Sequence, residues 1–305
     1  MTQTPIKQKF SYDQAFDRNI GWLTPEEQTK LKNSCVAIAG VGGAGGFQAQ
    51  ALARLGVGHF KLADLDTFEL SNINRQIGAT VQTLGQPKVS VIRDMILAIN
   101  PQARVDIFEE GISSRTIDQF LDGVQVGLDG IDFFAQNIKL LFFTKCYDKK
   151  IPALTSCPLG FGASLLVFSP TGMKYADYFD IRENMSEKEK RITSTLGYSP
   201  TPLCFAYMDK RAIDFSGERA SSVSPGLLLV ASISAVETVK ILTGKRKVHY
   251  CPHVYQIDLM TQQVRKKYFP FGMKSPWQRF KRWFFLKLMN NQIYYLLRFR
   301  KAGDE

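Results

Sequence analysis

Two acids and a polar run lie in "LADLDTFELSNINRQIG" (residues 62–78). The acids are Asp64 and Asp66, and the polar side chains that follow are Asn72, Asn74, Arg75 and Gln76. A carboxylate that closes a buried strand, as we expect of Asp66, can hold the ribose hydroxyls of a nucleotide. Amides and a guanidinium fork suit phosphate oxygens, which arginine binds in a bidentate manner. These residue types therefore predict a nucleotide site.

A glycine-rich loop precedes this segment. Between the apolar run "CVAIAGV" (35–41) and a stretch of helical periodicity, the chain carries Gly40, Gly42, Gly43 and Gly45. Glycines there let the backbone approach a phosphate, and the N-terminus of the following helix offers free N–H groups. The loop also satisfies G-x-G-x-x-G, the dinucleotide fingerprint, so by itself it does not separate ATP from NAD. A tight turn without a ligand is the other interpretation.

Two cations favour a triphosphate at this loop. Lys88 opens the next helix in "GQPK" and accompanies Arg75. A dinucleotide has only a pyrophosphate to neutralise, so we expect ATP rather than NAD. A polar capping loop with a solvated arginine would leave the same pattern and remains the alternative.

These candidates need a scaffold in which strands alternate with helices. Short apolar runs predict strands at 35–41, 59–64, 103–110, 124–130 and 151–156, with helical periodicity between them. This alternation predicts a doubly wound, mostly parallel, Rossmann-like α/β sheet with helices on both faces.

The second half of the chain is less regular. We predict a charged surface segment over 183–194, a strong helix that ends at Gly244, and a hairpin over 253–269. Residues 1–262 are predicted to form the nucleotide-binding domain, and residues 263–305 a basic, aromatic, helical tail.

Composition indicates a globular protein of the reducing cytoplasm. The chain has 305 residues, of which 45% are hydrophobic, and it has no apolar run of about 18 residues that would span a membrane. Its first residues contain no apolar signal region. The five cysteines are widely spaced and form no C-x-x-C pair, so we expect neither disulfides nor a structural zinc site.

The order of these motifs resembles the ThiF/MoeB/HesA family. The stretches that carry the resemblance are "AIAGVGGAGG", "ADLDTFELSNINRQIG", "GQPKV" and "INP". Members of that family are bacterial relatives of ubiquitin-activating enzymes and adenylate a carboxylate. The resemblance covers roughly residues 10–170 and extends more faintly to about 260. It implies a homodimer that binds ATP and Mg²⁺ at the glycine loop.

The resemblance also implies roles for single residues. Gly42 and Gly43 would lie under the nucleotide and Asp66 would hold the ribose. The phosphates would be held by Asn72, Arg75 and Lys88.

Two further residues inherit roles from the resemblance. Asp132, in the stretch Asp129-Gly130-Ile131-Asp132-Phe133, would organise Mg²⁺, although Phe133 stands where the family carries asparagine. Arg18, in "FDRNIG", would reach the γ-phosphate across a dimer interface.

The implied reaction is attack by a substrate carboxylate on the α-phosphate of ATP, which yields an acyl-adenylate and pyrophosphate. It requires positioning and charge neutralisation, the roles implied for Arg18, Arg75, Lys88 and Asp132 with Mg²⁺. The carboxylate could belong to a small ubiquitin-like or sulfur-carrier protein, a peptide, or a small molecule such as a modified nucleoside. An NAD-dependent oxidoreductase and a non-catalytic nucleotide-binding scaffold at the membrane are the alternative functions.

Other reactive residue types have ordinary explanations. An acid–base pair of Asp129 and Asp132 lacks an accompanying proton carrier, and Asp129 alone is typical of a turn. Cys157 and Cys204 are candidates for a thioester, but buried small apolar residues are the more common case. His249, Cys251 and His253 could share one face of a strand, yet Pro252 and the lack of a fourth ligand argue against a metal site.

The tail concentrates the basic charge. The whole chain carries +11, and residues 263–305 account for +9 of it, which leaves +2 for the remainder. Residues 275–301 combine eight aromatic side chains with seven Lys or Arg. This composition is typical of a helix at a membrane surface, here the inner face, or of a helix packed on the body or on a dimer partner. Nucleic-acid binding is less favoured because no motif supports it.

Overall fold

The computed structural model describes residues 9–209 and 220–290. A mixed sheet of eight strands forms its centre, in the order β3-β2-β1-β4-β5-β6-β7-β8. The strands are β1 (Cys35–Ala39), β2 (His59–Ala63), β3 (Arg104–Phe108), β4 (Val126–Asp129), β5 (Ala153–Leu159), β6 (Gly162–Phe168), β7 (His253–Asp258) and β8 (Gln263–Tyr268). Five neighbouring strands, β3, β2, β1, β4 and β5, pair in parallel. The strands β6, β7 and β8 extend the sheet with antiparallel pairing.

Helices cover both faces of the sheet, which confirms the predicted fold class. They are α1 (Tyr12–Ala15), α2 (Pro25–Lys32), α3 (Gly43–Arg54), α4 (Lys88–Ile99), α5 (Ile117–Phe120), α6 (Gln136–Asp148), α7 (Tyr175–Phe179), α8 (Glu187–Tyr198), α9 (Ser224–Thr243) and α10 (Pro276–Asn290). The sequence leaves β6, α1, α2, α7 and α8 unpredicted, whereas the strands β1 to β5 and the hairpin β7–β8 are confirmed.

Alternate residues of β1 belong to two separate hydrophobic cores. Val36 and Ile38 pack with Leu52 of α3 and Ile92 of α4 on one face. On the other face, Ala37 and Ala39 join an aromatic core that contains Phe142 and Tyr178. Because successive strand residues point to opposite faces, a fully apolar strand such as β1 must be covered on both sides.

The segment 183–194 is not the surface segment that its charge predicts. It contains most of α8, whose N-terminus is capped by Ser186 through a reciprocal capping box with Glu189. Ile192, Thr193 and Ser194 are buried because that side of the helix packs beneath the aromatic core. Glu187 is exposed, whereas Lys190 is buried and pairs with Glu187 at 2.9 Å, so charge alone does not place a residue of this segment at the surface.

The helix predicted to end at Gly244 is α9, and Gly244 adopts a left-handed conformation just after it. Within the described residues, α9 is the one helix whose length and hydropathy would allow it to cross a bilayer. It packs against α3, β5 and β6, so its apolar composition is explained by its place in the fold.

The predicted tail begins inside the sheet. The boundary between residues 262 and 263 falls in the turn of the β7–β8 hairpin, so residues 263–268 form the edge strand. Within the stretch 275–301, α10 accounts for residues 276–290, and residues 291–301 lie outside the described residues.

Candidate nucleotide-binding site

The glycine loop and the turn after β4 touch each other at the carboxyl edge of the parallel strands. Gly40 N–H donates to Ala63 of β2, and Gly130 N–H donates to Ala39 of β1. A side chain at Gly40 would collide with the carbonyl of Gly130, and one at Gly45 would collide with the carbonyl of Gly40. Glycine is therefore required there for close backbone approach. Parallel α/β folds bind ligands at this edge.

Asp64, rather than Asp66, directly follows β2. Its carboxylate accepts hydrogen bonds from the backbone N–H groups of Val41 (2.8 Å) and Asp66 (3.0 Å), so it ties the glycine loop to the second strand. Burial raises the pKa of Asp64 above its ordinary value, and the nearby Lys88 only partly offsets this effect.

Asp66 and Lys88 form an ion pair at the mouth of the site. The Lys88 ammonium lies 2.9 Å from the Asp66 carboxylate, and the Lys88 N–H donates to the backbone carbonyl of Asp66. Lys88 is the first residue of α4, as predicted. The residues expected to hold ribose and phosphate are therefore adjacent, and each neutralises the other.

The polar run 72–76 packs against the glycine loop. A side chain at Gly42 would lie 3.3 Å from the Gln76 amide, and one at Gly43 would lie 3.8 Å from the backbone of Arg75. Asn72 caps its own turn by accepting from the Glu69 N–H at 3.0 Å.

Arg75 and Gln76 retain free hydrogen-bonding capacity. The Arg75 guanidinium donates to the Ser71 carbonyl and the Asn74 side chain, and among the described residues it contacts no carboxylate. The Gln76 Oε1 atom is buried and has no hydrogen-bond partner within the part of the chain that the structure describes. The Asn74 side chain donates to the Ser222 carbonyl, and it thereby holds the segment that leads into α9.

Asp129 is not a turn residue, because it ends β4 and is fully buried. Its two carboxylate oxygens each lie 2.8 Å from the Lys139 ammonium, and Thr155 donates to one of them at 2.7 Å. Lys139 also donates to the Ile131 carbonyl at 2.8 Å. All of these contacts hold the turn that follows β4. The carboxylate is thereby occupied, which leaves Asp129 unsuited to proton transfer with Asp132.

Asp132 is exposed in that turn. One of its oxygens accepts from the Phe134 N–H at 2.9 Å. Phe133 occupies the position at which the ThiF/MoeB/HesA family has asparagine, and it packs against the aromatic core. Phe134 lies under the Arg191 guanidinium of α8 at 4.8 Å. In place of the asparagine, the turn thus has a phenylalanine that packs against the hydrophobic core and holds the turn there.

Arg18 lies away from the site of its own chain. Its neighbour Asn19 donates to Gln28 and to the Leu55 carbonyl beyond the end of α3. The twelve residues of α3 place that end about 18 Å from the glycine loop. The structure therefore brings the glycine loop, the polar run 72–76, the Asp66–Lys88 pair and the Asp132-bearing turn to one edge of the sheet, and it does not bring Arg18 there.

The two candidate thiols are poor nucleophiles in this setting. Burial raises the pKa of Cys157 to about 12, and it also raises the pKa of Cys204. Of the predicted histidine–cysteine trio, only His253 lies in β7, while His249 and Cys251 precede it. No group of three or more His, Cys, Asp or Glu suited to a metal occurs among residues 9–209 and 220–290.

The residues present fit a nucleotide. The unpartnered Gln76 Oε1 atom lies beside the side-chain-free Gly42, and the backbone of Arg75 lies beside Gly43. The Arg75 guanidinium keeps donors beyond its bonds to Ser71 and Asn74. For Mg²⁺ the chain offers the exposed carboxylate of Asp132, since magnesium is commonly bound by one or two carboxylates together with phosphate oxygens.

Sequence reasoning missed Lys139 and Gln136, and it gave the position at the end of β2 to Asp66 rather than to Asp64. Gln136 is buried, donates to the Phe133 carbonyl and accepts from Ser194 of α8. A glutamine just before the apolar centre of α6 (residues 140–143) is the signal that could have revealed it. Lys139 carried a similar signal, since a lysine on the inner side of α6 requires a buried acid.

Comparison with known proteins agrees with the motifs. The ThiF family model matches residues 16–274. The tRNA threonylcarbamoyladenosine dehydratase of Bacillus subtilis (strain 168) is 39% identical over 142 residues, which is 46% of this chain and 55% of that protein. The molybdopterin-synthase adenylyltransferase of Escherichia coli (strain K12) is 28% identical over 239 residues, covering 78% of this chain and 84% of that protein. The chain spans about half the length of the dehydratases it matches.

Solved structures share the fold. E. coli MccB in complex with AMPCPP and MccA superposes with a TM-score of 0.64 at 20% identity, over 88% of this chain and 75% of that one. PaaA gives a TM-score of 0.63 at 22% identity, over 87% and 77% of the two chains. Since the family model covers most of the sequence, and the glycine loop and the polar run lie together as its motifs require, the chain belongs to the ThiF family.

Proposed function

We propose that this chain is an ATP-dependent adenylyltransferase that activates a carboxylate as an acyl-adenylate and releases pyrophosphate. The observation that carries the proposal is the pairing of two cations with the glycine loop. Arg75 has hydrogen-bonding capacity and no carboxylate partner among the described residues, and its backbone lies beside Gly43. Lys88 opens α4, pairs with Asp66, and lies close enough to Asp64, which holds the Val41 N–H of the glycine loop, to act on its charge. The names of relatives such as the molybdopterin-synthase adenylyltransferase support the same activity.

Each site residue has a proposed task. Gly40, Gly42, Gly43 and Gly45 admit the phosphates, and Asp66 accepts from the ribose hydroxyls. Arg75 and Lys88 neutralise phosphate charge, with the amides of Asn72, Asn74 and Gln76 as further donors. Asp132 holds Mg²⁺, which supplies positive charge against the departing pyrophosphate. The chain contributes orientation and charge, and no protein nucleophile is needed.

The substrate carboxylate has three candidate sources. Relatives named for sulfur-carrier proteins suggest a protein C-terminus, and MccB, solved with MccA, suggests a peptide. The dehydratases are named for threonylcarbamoyladenosine in tRNA, whose threonine part carries a carboxylate. Pyrophosphate exchange measured separately with each class would identify the carboxylate.

Nucleotide binding tests the activity most directly. Calorimetric titration with MgATP, NAD and NADP should give binding to MgATP alone. Arg75→Ala should weaken that binding at least tenfold, because a charge-assisted hydrogen bond to phosphate is lost. Arg93→Ala is the matched control, since Arg93 is a half-exposed arginine of α4 that pairs with Asp94. Binding of NAD that is indifferent to Arg75 would instead favour the oxidoreductase.

We further propose that the active unit is a homodimer in which Arg18 serves the partner's site. Support comes from its position beyond the far end of α3, next to the exposed apolar residues Ile20 and Trp22. Mixing Arg18→Ala with Arg75→Ala should restore part of the activity that each variant lacks, because a mixed dimer contains one intact site. No restoration, with dimers verified by light scattering, would place Arg18 outside the reaction.

A further inference from the structure

Helix α10 turns its aromatic side chains outward. Trp277, Phe280, Trp283 and Phe284 are all about half exposed or more, and Trp277 reaches 62%. At about 100° per residue, these four side chains fall within one third of the helix circumference. An ordinary amphipathic surface helix would bury such a stripe, so this orientation requires an explanation.

The inner side of α10 includes buried polar side chains, and one of them is held by an ion pair. Gln278 is buried, and Arg282 donates to the carboxylate of Asp180 at 2.8 Å. Asp180 is itself buried and lies near two further arginines, Arg182 at 3.3 Å and Arg279 at 3.8 Å. These contacts hold α10 against Asp180, the residue that follows α7, and α10 also packs on α8, so its aromatic stripe faces away from the body.

Basic residues border and interrupt the aromatic stripe. Arg279 lies along one edge and Lys281 along the other, and Lys287 falls within it. The Lys281 and Lys287 ammonium groups lie 5.7 Å and 4.6 Å from the ring centres of Trp277 and Trp283. Aromatic rings flanked by lysine and arginine match the boundary between acyl chains and anionic headgroups.

We propose that the outer face of α10, formed by Trp277, Phe280, Lys281, Trp283, Phe284 and Lys287, binds the surface of an anionic lipid bilayer. Charge complementarity selects this partner. A second copy of the same face would bring like charges together in a two-fold contact, whereas anionic headgroups neutralise them. Because the ion pairs of Arg279 and Arg282 with Asp180 already hold this face outward in the free protein, binding to the bilayer requires little further ordering of the helix.

The proposal gives the site a place relative to the membrane. α10 packs on α8, and α8 contacts the Asp132-bearing turn through Arg191 and Phe134. The adenylation site therefore lies on the far side of α8 from the bilayer. Activity with a soluble carboxylate does not require membrane contact, so failure of either proposal leaves the other standing.

Vesicle flotation of the full chain tests the inference. Vesicles of phosphatidylcholine with about one third phosphatidylserine should carry the protein, and pure phosphatidylcholine should carry at least tenfold less. Lys281→Gln/Lys287→Gln should weaken binding to anionic vesicles about 25-fold, because each basic residue near the surface contributes roughly a factor of five. Trp277→Ala/Trp283→Ala should weaken it tenfold or more.

Matched control variants distinguish binding through the α10 face from nonspecific binding of exposed apolar residues to vesicles. Leu259→Ser/Met260→Ser removes two comparably exposed apolar residues from the β7–β8 turn and should leave flotation unchanged. Each variant should keep the wild-type circular dichroism spectrum. The chain has three tryptophans, two of them on this face, so vesicles should shift the emission to the blue in wild type but not in the double tryptophan variant.

Three results would overturn the proposal. One is equal flotation of wild type and the tryptophan variant, and another is equal binding to neutral and anionic vesicles. The third is binding to tRNA, or self-association through these residues, without any flotation. Competition by about 10 mM inorganic phosphate distinguishes a simple anion site, which phosphate would block, from a bilayer, which it would not.

Discussion

Two acid–lysine pairs occupy the same edge of the sheet and differ in exposure. Asp129 and Lys139 are 0% and 6% exposed, and they are supported by Thr155 and the Ile131 carbonyl. Asp66 and Lys88 are 56% and 8% exposed. The first pair has no surface to offer a ligand, whereas the acid of the second pair is open to solvent.

The difference shows how charge is divided between structure and binding. A buried pair is costly to separate, so it can hold a turn in one position. A half-exposed pair contributes little to stability and can exchange its partner for a ligand. We therefore expect substitutions in the two pairs to have opposite consequences.

The largest effect is expected when the buried pair is broken. Lys139→Met leaves Asp129 as an uncompensated buried charge and should lower the free energy of unfolding by about 3–5 kcal/mol. Urea unfolding followed by circular dichroism measures it. Lys145→Met on the same helix, which removes a surface pair with Asp118, should cost less than about 1 kcal/mol. A Lys139 variant as stable as the Lys145 variant would contradict the structural role.

The exposed pair should show the reverse pattern. Asp66→Asn should change the free energy of unfolding by less than about 1 kcal/mol, yet weaken MgATP binding roughly tenfold by removing a charged acceptor for the ribose. Calorimetry and urea unfolding of the same preparation provide both values. Unchanged affinity would move the ribose contact to Asp64, and Asp64→Asn would then be the variant to titrate.

A smaller effect is expected at Cys157, two residues beyond Thr155 in β5. Because burial raises its pKa to about 12, only about one thiol in 100,000 is ionised at pH 7. Cys157→Ser should keep pyrophosphate exchange within twofold of wild type. Rapid, stoichiometric alkylation of Cys157 in the native protein, or loss of exchange in the serine variant, would restore it as a thioester candidate.

The smallest effect concerns the pH dependence of stability. The folded pKa of Asp64 is raised above its ordinary 3.8 by burial, so the folded state holds this proton more tightly. The resulting stability is present below pH 3.8 and is lost as pH rises through the folded pKa. Urea unfolding in steps from roughly pH 4 to pH 7 should therefore show wild type falling relative to Asp64→Asn. Parallel curves would mean that Asp64 is not desolvated.

Much of the fold was predictable because local signals agree with it. The apolar runs of β1 to β5, the glycine loop before α3 and Lys88 at the start of α4 each carry a local pattern. Neither β6 nor α8 does, because Gly162 and Ser164 weaken the strand pattern of β6, and α8 opens with charged residues although one of them, Lys190, is buried. The position of the Asp129 side chain depends on Lys139, which lies ten residues later on α6. A contact between two elements leaves no periodic pattern in the sequence, so it could not be predicted.

The candidate site divides in the same way. The glycines, Arg75 and Lys88 were predicted because their types match phosphate chemistry. Lys139 and Gln136 were missed, and Asp64 was named without its role, because their partners are backbone groups and buried atoms that only the folded chain brings near. Arg18 could be predicted only by resemblance, since its own chain places it at the opposite edge of the sheet.

The glycines at the carboxyl edge have a consequence for how the protein can diverge. Gly40, Gly45 and Gly130 each occupy the space that a side chain on a neighbouring glycine would need. A first substitution at any of them meets backbone atoms rather than a side chain that can move aside. The nucleotide loop and the Asp132-bearing turn are therefore inherited as one unit, and new specificity has to arise in the surrounding helices and loops.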